Sequence, residues 1–259
     1  MKNLKRAHLN ALRLTWLSLF FVSLLSAGPQ LGPSFAQAKG WQVVKRSDGV
    51  VVSTREEAGR DLPSFKGTGR VQAGLFEILA ILRDGARRKE WMTRSGVTRV
   101  LKRVGLWEAI SYQQTLAPWP VSDRDVVMRT SIYQRESPRE LIATFQFEDW
   151  KRPIKGVDRD DYVLMPHLKG YWRLVKISDE ETEVTYMVNT DPGGLLPSAL
   201  VTRISRDLPY WTLLGLRKQV KKGFKRYQDF LDRFDPRRAG PELSEVPPPP
   251  PAAVLEYLN

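Results

Sequence analysis

After Pro197 the apolar residues of this chain stop alternating and begin to recur every three or four positions. Leu200, Val201, Ile204, Leu208, Trp211 and Leu214, then Val220, Phe224, Tyr227 and Leu231, define one stripe of a long amphipathic helix. Pro209 predicts a kink or break in it. The segments before it read differently. Short runs rich in β-branched and aromatic residues are bounded by Gly, Pro and Asp turns, and alternation of apolar and polar residues is visible in Thr182–Val188. The spacing predicts strands at 49–54, 64–73, 98–105, 107–117, 125–135, 140–149, 162–178 and 182–191. One early helix over 75–92 should break at Gly85. Many strands followed by one helix with an apolar stripe make an α+β chain whose helix must cover a sheet face.

The N-terminus is set aside from the fold. Lys2, Lys5, Arg6 and Arg13 precede the apolar run 14–27, and Ala36-x-Ala38 follows, the pattern of a secretory signal peptide. The run is short of the roughly 20 residues of a membrane span, although an uncleaved anchor is the alternative. The expected organisation is a signal peptide over 1–38, a folded domain over 39–234 and a Pro-rich, disordered tail over 235–259. The expected location is the periplasm or exterior, with a mature chain beginning at Lys39. The tail, with five consecutive prolines, favours an extended polyproline II spacer.

Removing the four basic residues of the signal takes the net charge from +12 to +8. In an exported protein that excess points to an anionic membrane surface before nucleic acid. Arg217, Lys218, Lys221, Lys222, Lys225 and Arg226 concentrate it on one helical stretch with an apolar opposite face, the pattern of a membrane-surface element. There is no cysteine, which excludes disulfides, thiolate chemistry and Cys-based zinc sites. His167 is the one histidine beyond residue 38 and cannot build a multi-His metal site. No cofactor is expected, and the expected state is a monomer.

Three segments carry a resemblance. "PWPVSDRDVV" (118–127) resembles the Pro-x-Pro…Arg-Asp-(Phe/Tyr)-Val strand entry of START domains, the lipid-transfer modules related to steroidogenic acute regulatory protein. "DPGGLLPSALV" (191–201) resembles their junction between last strand and last helix, and "RRKEWM" (87–92) is similar to their Arg-x-x-Trp segment. With Trp41 and "SFKGTGRV" in order, the resemblance spans roughly residues 41–222. It implies a helix-grip fold: a curved antiparallel sheet wrapped around a long C-terminal helix, with an apolar tunnel between them.

On that fold the sheet would line the tunnel with Val126, Met128 and Ile132, and the helix with Leu200, Ile204 and Leu208; Leu195 and Leu196 would border the entrance. Several relatives place an arginine in the cavity opposite an acid. Here that position is Thr130, with Ser111 on the neighbouring strand, and the arginine falls one residue earlier, at Arg129. One residue in a strand means the opposite face, so Arg129 should meet solvent and the tunnel should be uncharged. Arg124 and Asp125 are likewise expected on opposite faces, each tied to a neighbouring loop rather than acting as a catalytic pair. The implied function is binding and carrying one lipid or other apolar molecule, without catalysis. The alternatives are a helix-grip enzyme or biosynthetic accessory (cyclase- or hydrolase-like), or a partner-binding protein acting through the Pro-rich tail.

Overall fold

In the computed structural model, which describes residues 40–136, 139–240 and 245–258, the period-two segments pair into one curved antiparallel sheet. The expected signal peptide and the Ser137–Pro138 turn lie outside the described residues. The strands are β1 (Gln42–Ser47), β2 (Val50–Arg55), β3 (Ser64–Val71), β4 (Ser95–Arg103), β5 (Glu108–Thr115), β6 (Arg124–Arg135), β7 (Glu140–Phe147), β8 (Val163–Leu164), β9 (His167–Lys176) and β10 (Thr182–Asp191). Their order across the sheet is β1-β2-β3-β10-β9-β7-β6-β5-β4, with β8 pairing parallel to the start of β6. β1 escaped the sequence reading because Gln42, Val43 and Val44 are all exposed on an edge strand, so no alternation marks it. The turn joining it to β2 has positive φ at both Asp48 and Gly49, the type I′ hairpin geometry. The single strand expected over 162–178 is divided into β8 and β9 at Met165–Pro166, because a proline cannot donate to a ladder.

Parity along β6 sorts the two faces. Val126, Met128, Thr130 and Ile132 point to the concave side; Asp125, Val127 and Arg129 point outward. Helix α1 (Leu75–Arg83) buries Leu75, Ile78, Leu79 and Leu82 beneath the sheet, and the Glu77 carboxylate accepts the Gly74 N–H at its start. At Asp84 it gives way to a tight helical turn over Gly85–Glu90, where the break was expected.

The C-terminal helix differs from the long one expected. It is divided at Asp207 into α2 (Ser198–Arg206) and α3 (Leu208–Val220). Pro209 sits in the first turn of α3, where its missing N–H costs no helical bond. The chain leaves the helix through Gly223, with φ of 76°, and the apolar stripe resumes in α4 (Gln228–Phe234). α3 is the gripped helix, lying on β2, β3 and β10. It lies flush. A Cβ on Gly67 would come within 2.7 Å of Pro209, and one on Gly215 within 1.9 Å of the Trp91 carbonyl oxygen. Glycine at both places lets α3 approach β3 on one side and the Trp91 backbone on the other.

The tail is also more ordered than expected. Asp235 is buried and held by Arg237 in α5 (Pro236–Ala239). Further on, the Gln134 amide donates to the Pro248 carbonyl, and Tyr257 of α6 (Ala252–Leu258) packs edge-on against Tyr171 at 5.8 Å. Tyr171 and Met187 form an apolar pair on the outer face of the sheet, and Tyr257 covers them. The burial of that apolar surface supplies what composition alone did not reveal.

Candidate functional site

Because α3 fills its half of the concave face, the remaining free space falls in the other half, under β5, β6, β7 and β9 and against the end of α1. It forms a cavity of about 110 Å³. Ser111, Met128, Thr130 and Ile132 line it, each from a concave-face position of its strand. Phe145, Leu168, Trp172 and Tyr186 close the far wall, with the Trp172 and Tyr186 rings stacked at 4.3 Å. Trp91 meets Trp172 edge-on at 6.0 Å.

The other expected lining residues are elsewhere. Val126 shares the face of Met128 but is packed into the core and does not reach the cavity. Leu208 borders a small separate recess with Phe65 and Val188, and Leu196 a polar cleft beside Arg60 and Asp191. Leu195 and Leu200 are exposed, and Ile204 is half-buried on α2. The close seating of α3 at Gly67 and Gly215 is the physical reason, since it leaves only a small recess beside Leu208.

The uncharged tunnel also needs correction. Arg129 does face outward, where Glu148 accepts from it twice at 2.9 Å and Glu108 adds a third bond. A different arginine is inside. Arg88, in the turn after α1, lines the cavity and donates to the Gln113 side-chain oxygen at 2.7 Å and to the Leu82 carbonyl at 3.2 Å. Among the described residues no carboxylate lies within 4.0 Å of it. Burial pulls its pKa down from the usual arginine range, against the opposing pull of Tyr186 and Asp84. Burial likewise pushes the Tyr186 phenol well above the ordinary tyrosine value.

The cavity reaches the surface at the β4–β5 hairpin. Val100, Arg103 and Leu106 are both lining and exposed. Arg83, at the end of α1, donates to the Leu106 carbonyl at 2.9 Å and lies over the Trp107 ring at 5.0 Å and the Phe230 ring at 5.3 Å. Burial, with Arg103 adding like charge, lowers its pKa to about 10. Arg83 thus clasps the hairpin turn to α1 at the mouth.

The charged pair of the "SDRD" segment is structural in geometry. The buried Arg124 donates to the Ser122 carbonyl and, at 3.4 Å, to the Pro192 carbonyl, so it joins the turn before β6 to the Pro-Gly-Gly junction after β10. Asp125, on the other face, takes two bonds from Arg159 at 2.6 and 3.2 Å. His167 pairs with Asn189 at 2.8 Å across β9 and β10.

The basic stretch is less uniform than a helical face. α3 ends at Val220, so it straddles a helix end. Arg217 is spent on the carbonyls of Asp48, Gly49 and Arg70, where it fastens the β1–β2 turn. Lys222 reaches Glu90 at 3.4 Å, while Lys218, Lys221, Lys225 and Arg226 remain exposed.

No family model matches the sequence. An uncharacterized protein of Pseudomonas aeruginosa is 30% identical over 187 residues, which cover 72% of this chain and 90% of that one. Among solved structures, the STAR-related lipid transfer protein of Xanthomonas axonopodis is 29% identical with a TM-score of 0.63, covering 70% of this chain and 99% of that one. Human StAR-related lipid transfer protein 5, 19% identical, shares the fold with a TM-score of 0.64 over 72% of this chain and 89% of its own.

Proposed function

The chain belongs to the StAR-related lipid-transfer (START) domain family, and on that premise we propose that it binds one apolar molecule in the β5–β9 cavity and carries it between membranes outside the cytoplasm. The observation that carries this reading is the cavity itself, whose walls are aromatic and aliphatic and whose opening lies at one hairpin. Its polar lining includes the Arg88 guanidinium, the Gln113 amide and the Ser111 and Thr130 hydroxyls, and its one carboxylate, Glu108, is paired with Arg129. Such groups hold a ligand, and a lining carboxylate already held in an ion pair favours carriage over catalysis.

At about 110 Å³ the space is smaller than the roughly 300–1,000 Å³ of common ligand sites. Loading therefore requires the clasp between Arg83 and Leu106 to open and flexible side chains such as Met92 and Met128 to move. Native mass spectrometry of the purified protein, with solvent extraction of what co-purifies, tests the reading. The expected result is one bound apolar molecule per chain. Protein that stays at its bare mass after incubation with fatty acids, phospholipids and sterols would refute it.

The mouth is also the side that would meet a membrane. Val104 and Leu106 are exposed at the hairpin tip with Lys102 and Arg103 beside them. The Lys222–Glu90 pair ties the basic stretch to the turn that carries Arg88. Each basic residue near an anionic surface contributes about 1 kcal/mol. Lys221→Gln with Lys225→Gln should then weaken binding to phosphatidylglycerol vesicles about tenfold or more, with ligand affinity unchanged. Sedimentation with vesicles checks this, and unaltered partition would remove the basic stretch from the contact.

A further inference from the structure

Tyr171 of β9 and Met187 of β10 point away from the core as a cross-strand pair, yet they are 2% and 0% exposed. Residues 245–258 cover them. Five prolines, Pro247–Pro251, lead into α6, and Tyr257 sets its ring edge-on to Tyr171 while its hydroxyl donates to the Met187 sulfur at 3.7 Å. Cations ring this apolar patch. Lys66 stands opposite Met187, and Lys169 and Arg173 flank Tyr171 two residues away on either side. The Lys169 ammonium lies 3.8 Å from the centre of the Tyr257 ring. The covering segment carries Glu245 and Glu256 and no basic residue. Surface and cover are therefore matched in charge as well as in apolar contact.

The surface is built by the sheet, whereas the cover is held lightly. β5 stops at Glu108, opposite Ser131, so the Gln134 N–H of β6 faces the side that β5 has left, and the Pro248 carbonyl accepts it. Main-chain bonding at such an edge is how strands recognise extended peptides. The prolines bring no N–H that would be left unpaired. They extend about 15 Å, enough to cross from β6 over β7 to β9 at about 4.8 Å per strand. α6 has seven residues, too few to persist alone when about 12–15 are marginal. Pro247 is the one buried residue of 245–258, and the Arg233–Glu245 pair is exposed and adds little. A segment with so few buried groups opens well below the free energy of global unfolding. We propose that the outer face of β9 and β10 is a docking surface for an acidic, proline-led segment with an aromatic anchor, and that residues 245–258 occupy it reversibly in cis. The tail thereby shields the surface from other segments of that kind. The patch lies across the sheet from the cavity, so the proposal stands apart from the carrier reading.

The test uses the full chain and a fluorescein-labelled synthetic peptide of residues 245–258, read by fluorescence anisotropy. Tyr257→Ala protein should bind the peptide at least about tenfold more tightly than wild type, whose attached tail competes at an effective concentration near millimolar. A peptide that itself carries Tyr257→Ala should bind that variant at least about tenfold more weakly, the scale of losing an aromatic anchor. Adding Lys169→Glu to the Tyr257→Ala protein should also weaken the native peptide, because it reverses a charge at the rim. Tyr257→Ala should melt within about 4 °C of wild type, since it loses contacts of the strap and none of the core. A larger fall would make the tail part of the cooperative fold and overturn reversible occupancy. Equal peptide binding by wild type and Tyr257→Ala protein overturns occupancy in cis. No binding to the Tyr257→Ala protein by about 1 mM peptide, or equal binding of the two peptides, overturns the docking surface itself.

Discussion

Arg159→Ala is expected to cost about 3–5 kcal/mol of stability, the range for breaking a buried ion pair from one side. Asp125 is 1% exposed and its two oxygens each accept from the Arg159 guanidinium, at 2.6 and 3.2 Å. Removing the arginine strands a carboxylate that water cannot reach. The pair also fastens the long β7–β8 connection over the outer face, where Ile154, Trp150 and Val157 cover Ile110, Tyr112 and Val127. Those side chains would lose their cover along with the charge partner. Urea unfolding gives the measurement, with Arg70→Ala as control. Arg70 meets Glu181 at 3.7 Å on an exposed surface and should cost less than about 1 kcal/mol. Adding Asp125→Ala to Arg159→Ala should cost less than the sum of the two single changes, because the second removes the stranded charge. An Arg159→Ala variant within 1 kcal/mol of wild type would show that Asp125 finds water or another donor. The pair acts on function only through the frame. Asp125 opens β6, the strand that carries Met128, Thr130 and Ile132 to the cavity.

Strand parity was legible in the sequence because it needs only the period of two. The one-residue offset between Arg129 and Thr130 survives in the structure, with Arg129 on Glu148 and Thr130 at the cavity, whereas β10 is buried on both faces along most of its length. The motif segments around Pro118 and Asp191 were enough to reach the family and the fold. Where the free space lies was not legible. It depends on how closely α3 approaches β3 and Trp91, which Gly67 and Gly215 decide, and glycine leaves no mark in a hydrophobic pattern. Leu200, Ile204 and Leu208 were therefore assigned to a tunnel that the structure does not place beside them. Arg88 and Trp91 stood in the sequence as the Arg-x-x-Trp of "RRKEWM", but their place at the cavity did not, because only the tight turn of Gly85–Glu90 brings both to its wall while Arg87 and Glu90 pair at the surface. The order of the tail was hidden because it depends on an apolar patch, Tyr171 and Met187, contributed by strands more than 60 residues away.

Thr130→Trp is expected to abolish ligand binding, or weaken it by at least about tenfold, while the protein remains folded. Thr130 faces the cavity between Ser111 and Ile132, and an indole there would occupy the space that a ligand needs. In a filled core the same enlargement typically costs about 1–3 kcal/mol through forced rotamers and backbone shifts. Beside free space the ring has somewhere to go, so the cost should lie at or below the lower end of that range. Arg129→Trp is the matched control, one residue away on the opposite face. It gives up the bonds to Glu148 and Glu108, a partly exposed network worth about 1 kcal/mol or less per pair. Its ligand affinity should be unchanged. Titration with a fluorescent fatty acid beside thermal melts of both variants separates the outcomes. If Arg129→Trp blocked binding and Thr130→Trp did not, the ligand would sit on the outer face of the sheet. If Thr130→Trp unfolded the protein and binding was insensitive to both changes, the β5–β9 space would be packing slack rather than a site. Loss of binding confined to Thr130→Trp requires that the ligand lie under β6, on the concave side of the sheet.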